Sequence, residues 1–381
     1  MTGRFLPGAT IGLMGSGQLG RMFAVAARRM GYRVHVFSPE KVTPAGQFAD
    51  REVTGAYEDE AAVRGFAKEL NLLTFEFENI PRQTVDWCAA ECEVRPASSI
   101  LHTAQNRLRE KDFLSRAGIP VGPYRAVRSA AELRAAIREI KTPAILKSAA
   151  FGYDGKGQRF IEQPPDAEEV WRERPGDELI LESAIDFEKE LSVIVARGPD
   201  SSIAAFPVCE NMHRHHILDI TVVPARIAPE VEKSATELAR AIAAKIDLIG
   251  LLAVEMFLQR DGDLLVNELA PRPHNSGHWT IEGCATSQFE QHVRAVCGLP
   301  LGSTQLLSPS AMANLLGNLW ESGEPNWAAA LAVPGVRLHL YGKHQPRPRR
   351  KMGHLTALGS TAEAAIAAVT KARDALSQQN A

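Results

Sequence analysis

Short apolar stretches alternate with helix-like stretches through the first hundred residues. The predicted elements, in chain order, are a strand at 9–14, a helix that ends near Met30, a strand at 33–37, a helix at 61–70 and a strand at 72–77. The glycine-rich segment 15–20 joins the first strand to the first helix, and Gly31 suits the left-handed end of that helix. Strand, glycine turn, helix and strand form a βαβ unit, so residues 1–104 are predicted to form an α/β domain.

The pattern changes after residue 104. A predicted helix at 107–117 is followed by chain breaks at 118–120 and 122–123. A small α/β unit is then predicted at 124–185, with a helix at 130–140, strands at 144–147 and 179–182, and a glycine-rich turn at 152–157. Antiparallel strands are predicted within 186–300, together with a helix at 231–246. The tail from about 309 is mixed and ends in an alanine-rich helix.

The most informative pattern is LLAVEMFLQRDGDLLVNE at 251–268, which predicts a β-hairpin. Asp261-Gly262 is a favoured two-residue hairpin turn, and counting outward from it places Glu255 opposite Glu268. Directly opposed side chains have Cβ atoms about 4.5–5.5 Å apart, so two carboxylates there would repel each other. A bound Mg²⁺ would reverse the repulsion. The alternative is that both glutamates lie on a solvated strand face.

Composition excludes several classes of function. The 381 residues are 45% hydrophobic and 23% charged, which is typical of a globular protein with two or three domains. The formal net charge of −2 gives no general attraction to nucleic acid or to an anionic membrane. No apolar run reaches the roughly 20 residues that a membrane helix needs. The five cysteines contain no CxxC pair, so neither a disulfide framework nor a zinc site is expected. This cysteine usage fits a protein of the reducing cytoplasm.

The segment GSGQLG at 15–20 matches the pattern of dinucleotide-binding turns. An NAD site also needs an acidic residue at the end of the second strand to hold the ribose. That strand ends at Ser38 instead, and Pro39 separates it from Glu40. Two interpretations stay open. The N–H groups of the helix N-terminus bind a phosphate of some substrate, or the segment is a tight strand–helix turn without a ligand.

A second glycine-rich segment, AILKSAAFGYDGKGQ at 144–158, begins with an apolar strand that ends at Lys147. It does not fit the P-loop pattern. A glycine-rich loop that carries Lys156 and several N–H groups could still fold over the β- and γ-phosphates of a nucleotide. Lys147 could then reach the α-phosphate as a point charge. A plain glycine hairpin without a ligand is the alternative.

These segments resemble the ATP-grasp superfamily and, within it, the 5-(carboxyamino)imidazole ribonucleotide synthase family of purine biosynthesis. The resemblance covers nearly the whole chain and rests on GSGQLGRM at 15–22, TFEFENIP at 74–81, GYDGKGQ at 152–158, ELSV at 190–193, AVEMF at 253–257, NELAPRPHNSGHWT at 267–280 and YGKHQPRPRRKMGH at 341–354. NELAPRPHNSGH is highly specific to these enzymes. Ser148-Ala149-Ala150 departs from the basic residues that the family often has there, and Phe151 replaces a common glycine.

The resemblance implies a multidomain α/β and α+β ATP-grasp fold. It assigns 1–104 to an N-terminal Rossmann-like domain, 105–308 to the ATP-grasp region with a lid subdomain at about 124–185, and 309–381 to a C-terminal domain that packs with the ATP-grasp region. The implied enzyme is a ligase that forms a C–N bond. It would use ATP and bicarbonate to carboxylate the exocyclic amine of 5-aminoimidazole ribonucleotide through carboxyphosphate, giving 5-carboxyamino-imidazole ribonucleotide, ADP and phosphate on the way to IMP.

The resemblance also maps a nucleotide site and a metal site onto this chain by motif. Mg²⁺, for which Mn²⁺ could substitute, would bind Glu255 and Glu268. The residues implied to bind ATP are Arg107, Lys147, Gly152, Tyr153, Asp154, Gly155, Lys156, Gly157, Gln158, Glu182, Ser183, Ala184, Ile185, Glu190, His213, Asn267 and Glu268. Arg107 and Lys147 would contact phosphates, the backbone of 183–185 would read adenine, and Glu190 would accept the ribose hydroxyls.

The residues implied for the chemistry lie in two segments. Asp154 is a candidate acceptor for the amine proton, with released phosphate as the competing base, and Tyr153 would pack on the imidazole. Arg272, His274 and Asn275 would reach the bicarbonate beside the γ-phosphate.

The residues implied to surround the ribonucleotide are Gln18, Leu19, Glu76, Lys343, Arg350 and Lys351. The last three would bind its 5′-phosphate, and a solvated basic loop is the alternative for them. The partners implied are small molecules, with neither nucleic acid nor membrane, and the family suggests a homodimer.

Three rival functions stay open. The first is another ATP-grasp carboxylase or a formyl-phosphate transferase. The second is an NAD(P)-binding oxidoreductase built on GSGQLG, against which Ser38-Pro39 speaks. The third is a catalytically silent nucleotide-binding regulator, against which the retained Lys147, Glu255 and Glu268 speak. The run at 213–216 is either a polar loop or part of a zinc cluster, although no distant ligand set completes such a cluster.

Overall fold

The computed structural model describes residues 3–150, 157–173 and 178–377, and its first β-sheet is parallel with the order β3-β2-β1-β4-β5. Its elements are β1 (Thr10–Met14), α1 (Gln18–Arg29), β2 (Arg33–Ser38), β3 (Arg51–Thr54), α2 (Glu60–Ala67), β4 (Leu72–Phe75), α3 (Arg82–Ala89) and β5 (Glu93–Val94). The predicted βαβ unit is confirmed. Because β1 pairs with both β2 and β4, the strand order reverses there, and the segments that follow β1 and β4 lie at the edge where such sheets bind ligands.

Two helices lead to a second, antiparallel sheet with the order β6-β9-β7-β8. The elements are α4 (Ser98–Ala104), α5 (Arg107–Arg116), β6 (Tyr124–Val127), α6 (Ala130–Ile140), β7 (Ala144–Ser148), β8 (Gln158–Ile161), α7 (Ala167–Arg172) and β9 (Leu179–Ser183). The Ser129 hydroxyl caps α6 by accepting the Glu132 N–H at 3.1 Å. Leu133 and Ile137, four residues apart, bury the same face of α6 in this small core. The helix predicted at 130–140 is confirmed.

A third sheet has nine strands in the order β15-β14-β10-β12-β13-β16-β18-β17, with β11 paired to β10. Its region contains β10 (Phe187–Arg197), β11 (Ile203–Ala205), β12 (Cys209–Arg214), β13 (Ile217–Val223), α8 (Pro229–Lys245), β14 (Gly250–Gln259), β15 (Leu264–Ala270), α9 (Thr280–Gly283), α10 (Gln288–Cys297), β16 (Ser310–Leu316), α11 (Trp327–Leu331), β17 (Val336–Leu340), β18 (Lys351–Leu358) and α12 (Ala362–Ala375). Because β13 pairs with β16, the region after residue 309 extends this sheet rather than forming one of its own.

Helices cover the large sheet through regularly spaced apolar side chains. Ala235, Ala239 and Ile242 of α8, spaced by four and three residues, are buried in the core that includes β10 and β14. Ala365 and Val369 of the predicted alanine-rich helix, α12, are buried with β16 and β18. Throughout the described ranges, every helix is too short or too polar to cross a bilayer. All five cysteines carry free thiols.

The turn between β14 and β15 differs from the predicted two-residue turn. The Gln259 N–H donates to the Asp263 carbonyl at 2.9 Å, and the Gly262 N–H donates to the Gln259 carbonyl at 3.0 Å. The loop therefore contains three residues, 260–262, and Gly262 takes the left-handed conformation (φ +91°) that such loops require. The predicted turn is wrong, and the strand register beside it is displaced by one residue.

A β-bulge at Asn267 restores the register. The two strands pair regularly as far as Val266, but the next residue of β14, Glu255, pairs with Glu268, so Asn267 is the extra residue. Without the bulge, Glu268 would lie opposite Val254 on the apolar face, because a one-residue slip exchanges the two faces of a strand. The predicted opposition of Glu255 and Glu268 is therefore confirmed, and the bulge is its cause.

Two glycine substitutions should change stability in opposite directions. Gly262→Ala places a Cβ on a left-handed residue, and we expect it to lower the free energy of unfolding by about 1–2 kcal/mol. Gly65→Ala lies inside α2 with no atom within 4 Å of the added Cβ, and it should raise that free energy by about 0.5–1 kcal/mol. Thermal unfolding of both variants and the wild type checks this. Shifts of the same sign would contradict the assigned backbone conformations.

Candidate active site

A cleft of about 1000 Å³ lies where the three sheets meet, and it is large enough for a nucleotide and a second small molecule. Most of the predicted site residues line it. They are Gln18, Leu19, Glu76, Arg107, Lys147, Gln158, Glu182, Ser183, Ala184, Ile185, Glu190, His213, Glu255, Asn267, Glu268, Arg272, His274, Asn275 and Lys351. The fold therefore brings together residues from the first glycine segment through to the start of β18.

Glu255 and Glu268 face each other across β14 and β15 in the wall of this cleft. Burial, reinforced by the charge of Glu268, raises the pKa of Glu255 to about 7. Burial also raises the pKa of Glu268, against the opposing effect of Arg107. Two half-buried, directly opposed carboxylates are unfavourable as a pair of anions, so the arrangement favours either a shared proton or a bound cation.

The donor set fits a hard divalent cation. The bulge brings Asn267 into the cleft wall together with Glu268, although consecutive strand residues ordinarily point to opposite faces. Within the described residues, no three His, Cys, Asp or Glu side chains are grouped so that they could hold a metal by themselves. Mg²⁺ typically takes one or two carboxylates and completes its shell with phosphates and water, so this pair suits a metal that binds together with a nucleotide.

The histidines at 213–216 form no such group either in that part of the chain. His215 and His216 make the two-residue turn between β12 and β13, both with positive φ (+52° and +64°). All three histidines of the run line the cleft. His213 Nδ1 contacts Glu190 Oε2, and although burial opposes protonation, the carboxylate raises the pKa of His213 overall. Glu190 and His213 are thus neighbours, as the polar-loop interpretation allows.

Glu255 has a histidine neighbour as well. His274 Nε2 lies 3.3 Å from Glu255 Oε1. Burial, helped by Arg272 and Lys351, holds the pKa of His274 well below its usual value, so the ring is neutral. Its Nδ1 accepts the Ser276 N–H at 3.3 Å, which leaves the ring proton on Nε2. His274 therefore lies beside Glu255 as a neutral neighbour.

Lys147 and Glu182 form a buried pair across neighbouring strands. Lys147 Nζ lies 2.8 Å from Glu182 Oε2, and both side chains are 11% exposed. Burial alone would raise the pKa of Glu182, but Lys147 and Lys111 together hold it below its usual range. The pair places a fixed positive charge beside the predicted adenine hinge.

The hinge uses two of its N–H groups internally. The Ser183 N–H donates to the Pro123 carbonyl at 3.0 Å, and the Ala184 N–H donates to the Pro143 carbonyl at 3.1 Å. Recognition of adenine by the backbone of 183–185 would thus depend on the remaining groups of that segment. This contact could not be predicted from the sequence, because both prolines belong to other strands and loops.

The glycine segment that follows β1 already holds an anion of the protein itself. Glu76, just after β4, bonds to the Gly17 N–H and accepts the Gly20 N–H at 2.7 Å. A Cβ on Gly17 would lie 2.7 Å from Glu76 Oε1, which explains the need for glycine there. Of the two interpretations of this segment, the structure supports the turn without a phosphate, because a side-chain carboxylate takes the place of an external anion at the helix N-terminus.

Arg272 and Asn275, which follow β15, are each held by a residue that the sequence did not suggest. Arg272 Nη2 donates to Glu78 Oε1 at 2.8 Å, and its Nε also bonds to Glu78. Burial opposes the charge of Arg272, but Glu78 more than compensates and raises its pKa. Asn275 and Asn314 exchange amide hydrogen bonds at 3.1 and 2.7 Å. Since Asn314 lies in β16, the C-terminal region positions a cleft residue.

Further cleft residues were missed at the sequence level. They include Phe77, Glu78, Asn79, Lys111, Phe160, Phe187 and Phe257. Strand alternation could have found one of them, because Phe257 lies two residues after Glu255 in β14. The rings of Phe187 and Phe257 stack with centroids 4.7 Å apart and give the cleft an apolar wall.

The basic residues predicted to bind the 5′-phosphate are placed differently from one another. Lys351 lines the cleft. Lys343 Nζ donates to the Lys351 carbonyl at 2.7 Å. Burial raises the pKa of Glu76, and the nearby positive charge of Lys343 opposes that rise. Arg350 is exposed and donates to the Gln345 carbonyl at 3.0 Å. Lys343 therefore lies near Glu76, whereas the charge of Lys351 acts on Glu255 and His274.

The predicted closing loop falls partly outside the described residues. Gly152, Tyr153, Asp154, Gly155 and Lys156 lie outside the described residues. The end of the segment is anchored, because the Gly157 carbonyl accepts the Ser148 N–H at 3.1 Å and Gln158 pairs with Lys147.

Three family models match consecutive parts of the chain. The model described as ribonucleotide synthetase preATP-grasp domain matches residues 8–105. The ATP-grasp domain matches residues 112–289. The phosphoribosylaminoimidazole carboxylase C-terminal domain matches residues 310–368.

Similar proteins cover almost the whole chain. The N5-carboxyaminoimidazole ribonucleotide synthase of Bacillus subtilis is 47% identical over 350 residues, which are 92% of this chain and 91% of that protein. The enzyme of the same name from Brucella melitensis is 42% identical over 92% of this chain and 96% of its own length. A crystal structure of an N5-carboxyaminoimidazole ribonucleotide synthetase with ADP has a TM-score of 0.93 at 43% identity, covering 99% of this chain and 100% of that one. The Aspergillus clavatus N5-carboxyaminoimidazole synthase, in complex with ADP and 5-aminoimidazole ribonucleotide, has a TM-score of 0.88 at 32% identity, covering 97% and 98%.

The raised pKa of Glu255 predicts that divalent-metal binding strengthens as the pH rises through about 7. A metal needs the ionised carboxylate. A carboxyl with a raised pKa in the folded state also destabilises the metal-free fold as the pH rises from 4.5 towards 7, and a cation relieves this. We therefore expect Mn²⁺ with ADP to raise the melting temperature more at pH 8 than at pH 6.

Differential scanning fluorimetry at several pH values measures this stabilisation. Glu255→Gln is the control, since it removes the carboxyl whose pKa is raised to about 7, and the metal-dependent shift should become small at every pH. A wild-type shift of equal size at pH 6 and pH 8 would contradict the prediction.

Proposed function

Because the chain belongs to the N5-carboxyaminoimidazole ribonucleotide synthase family, we propose that its cleft carboxylates 5-aminoimidazole ribonucleotide with ATP and bicarbonate. The protein is an ATP-dependent ligase of purine biosynthesis. Its products are 5-carboxyamino-imidazole ribonucleotide, ADP and phosphate. The observation that carries the proposal is the opposition of Glu255 and Glu268 within a cleft shared by three sheets.

ATP lies between the second and third sheets in this proposal. The hinge at 182–185 holds adenine next to the stacked phenylalanines, and Glu190 accepts the ribose hydroxyls beside His213. Arg107 and Lys147 supply positive charge to the phosphates. All of these residues line one cleft, which supports the assignment.

Glu255 and Glu268, with Asn267 beside them, would hold Mg²⁺ or Mn²⁺. When bound, the cation neutralises charge on the nucleotide phosphates. His274 Nε2 lies 3.3 Å from Glu255 Oε1, so this histidine is a close neighbour of the proposed metal ligand.

Arg272, His274 and Asn275 would hold bicarbonate beside the γ-phosphate. A bicarbonate oxygen bonds to the γ-phosphorus while the bond to the β–γ bridging oxygen breaks, giving carboxyphosphate and ADP. Such a transfer needs positioning and charge neutralisation more than covalent help. Glu78 keeps Arg272 charged and oriented for this role.

Carboxyphosphate then delivers CO₂ or its equivalent to the exocyclic amine, so a C–N bond forms and phosphate leaves. Asp154 accepts the amine proton in this proposal, with the departing phosphate as the alternative base, and Tyr153 packs on the imidazole. Because carboxyphosphate reacts readily with water, the segment 152–158 would act as a closing lid that excludes it.

The ribonucleotide would lie against the first sheet. Gln18, Leu19 and Glu76 surround it, and Lys343 and Lys351, with Arg350, bind its 5′-phosphate. The proximity of Lys343 to Glu76 and the place of Lys351 in the cleft wall support this orientation.

Three broader statements complete the proposal. The chain divides into domains at 1–104, 105–308 and 309–381, forms a homodimer, and works in the cytoplasm. Family membership supports all three, and the free thiols fit a reducing compartment.

The rival functions have less support. An NAD(P)-binding oxidoreductase would place a pyrophosphate at the first glycine segment, but Glu76 already accepts the Gly20 N–H there. A silent regulator would not need two opposed glutamates in the wall of a nucleotide-sized cleft. A formyl-phosphate transferase shares the ATP chemistry and is separated by experiment.

The decisive experiment measures ADP release while each reactant is omitted in turn. We expect rapid release only when ATP, a divalent cation, bicarbonate and the ribonucleotide are all present, because the amine consumes the reactive intermediate. Formate in place of bicarbonate is the matched control and should not support turnover. Formate-dependent release would exclude the proposed reaction.

A second prediction concerns the proposed 5′-phosphate site. Lys343→Ala should raise the Michaelis constant for the ribonucleotide by at least about tenfold while changing that for ATP little, because one charge-assisted contact is worth about 1.5–3 kcal/mol. Arg347→Ala, an exposed residue of the same basic loop, is the control and should change neither constant. Steady-state kinetics with each substrate varied checks this. Equal effects on both constants would reject the role of Lys343.

A further inference from the structure

β15 is the outermost strand of the nine-stranded sheet, so one of its edges faces no other strand of that sheet. The N–H and C=O groups on such an edge need partners from elsewhere or from water. The bulge at Asn267 increases this need, because the extra residue interrupts the ladder with β14. Both demands coincide at 266–269, the segment that contains Glu268.

Two consecutive residues of α5 supply the partners. Lys111 Nζ donates to the carbonyl oxygens of Val266 and Asn267 at 3.1 and 2.9 Å. Glu110 Oε2 accepts the Leu269 N–H at 3.0 Å. Together they bind the backbone on both sides of the second cleft glutamate. One more hydrogen bond holds the same segment of β15: the Val266 N–H donates to the Pro120 carbonyl at 2.8 Å.

The sequence of α5 explains how both side chains reach the same strand. Glu110 and Lys111 lie three and four residues after Arg107, so each is a neighbour of Arg107 on the helix surface. The Asn106 side chain caps the helix by accepting the Leu108 N–H at 2.9 Å, which fixes where that face begins.

The burial of this pair is unusual for charged residues. Glu110 is 2% exposed and Lys111 is 3% exposed. Burying a carboxyl group or an ammonium group is strongly unfavourable unless its hydrogen bonds are satisfied. Here the partners are backbone groups of the bulge, so the two residues and the bulge stabilise each other.

We propose that Glu110 and Lys111 are positioning residues that hold the β15 bulge and thereby keep Glu268 opposite Glu255. The inference rests on the proposed function, in which the two opposed glutamates bind a divalent cation. Glu110 does not belong to the wall of the cleft, whereas Lys111 does. Glu110 therefore gives the sharper test, because it can affect metal binding only through its hydrogen bond to the strand or through its charge near Glu268, and Glu110→Gln separates the two.

The test compares four variants by Mn²⁺ binding in the presence of ADP, followed by electron paramagnetic resonance. Glu110→Met and Lys111→Met remove the hydrogen bonds to the strand and should weaken Mn²⁺ binding by about 10–100-fold, as the loss of partners around a metal site commonly does. Glu110→Gln keeps an acceptor for the Leu269 N–H and should stay within about twofold of the wild type. Glu210→Gln is the control, because Glu210 is a buried carboxylate bonded to Arg226 outside the cleft wall.

Melting temperatures separate a local effect from general instability. Glu210→Gln should lower the melting temperature without changing Mn²⁺ affinity, whereas Glu110→Met should lower both. If Glu110→Met binds Mn²⁺ as tightly as the wild type, the positioning role is overturned. If instead the wild type itself binds no Mn²⁺ with ADP, the proposed function fails, and the two outcomes are thus distinguishable.

Hydrogen exchange on the wild type keeps the inference testable if the methionine variants do not fold. We expect the Leu269 amide, which lies on the outer edge of the sheet, to exchange slowly and to remain slow in Glu110→Gln. Exchange as fast as that of a solvent-exposed edge amide in the wild type would overturn the proposal.

Discussion

The repulsion between Glu255 and Glu268 is the constraint on which the rest of the site depends. A sheet built for stability alone would not place two half-buried carboxylates in direct opposition, since the charge of Glu268 raises the pKa of Glu255 unless a cation is bound. Here a three-residue turn and a bulge together create that opposition. The bulge lies on the outermost strand of the sheet, whose outer edge is not paired with another strand of that sheet. α5 supplies hydrogen bonds to that edge instead.

The other charged residues of the cleft are held in place before any substrate binds. Lys147 is paired with Glu182, and Arg272 is paired with Glu78. Such pairing keeps several cations and carboxylates in one cleft without leaving buried charges uncompensated. Glu76 is held by backbone groups instead of a side-chain cation, because its carboxylate accepts the Gly20 N–H in the first turn of α1. Each substrate must therefore compete with, or add to, an existing contact.

Much of the fold follows from local pattern. The βαβ unit, the helix at 130–140 and the alanine-rich final helix were predictable because their apolar spacing and turn residues act within a few positions of the chain. The opposition of Glu255 and Glu268 was also predicted, although the count behind it assumed the wrong turn. An error of one residue at the turn and an extra residue at Asn267 cancel, and the segment itself carries no signal for the bulge.

The sequence by itself determined the local elements, the class of chemistry and, through its motifs, more than half of the residues that line the cleft. Tertiary structure alone decided which of these groups meet. Glu110 and Lys111 contact a strand more than 150 positions later, and Glu76 occupies a helix terminus that local pattern had left open for a phosphate. The physical reason is that hydrogen bonds to buried backbone groups must be satisfied wherever the fold brings a partner, and spacing along the chain contains no record of that partner.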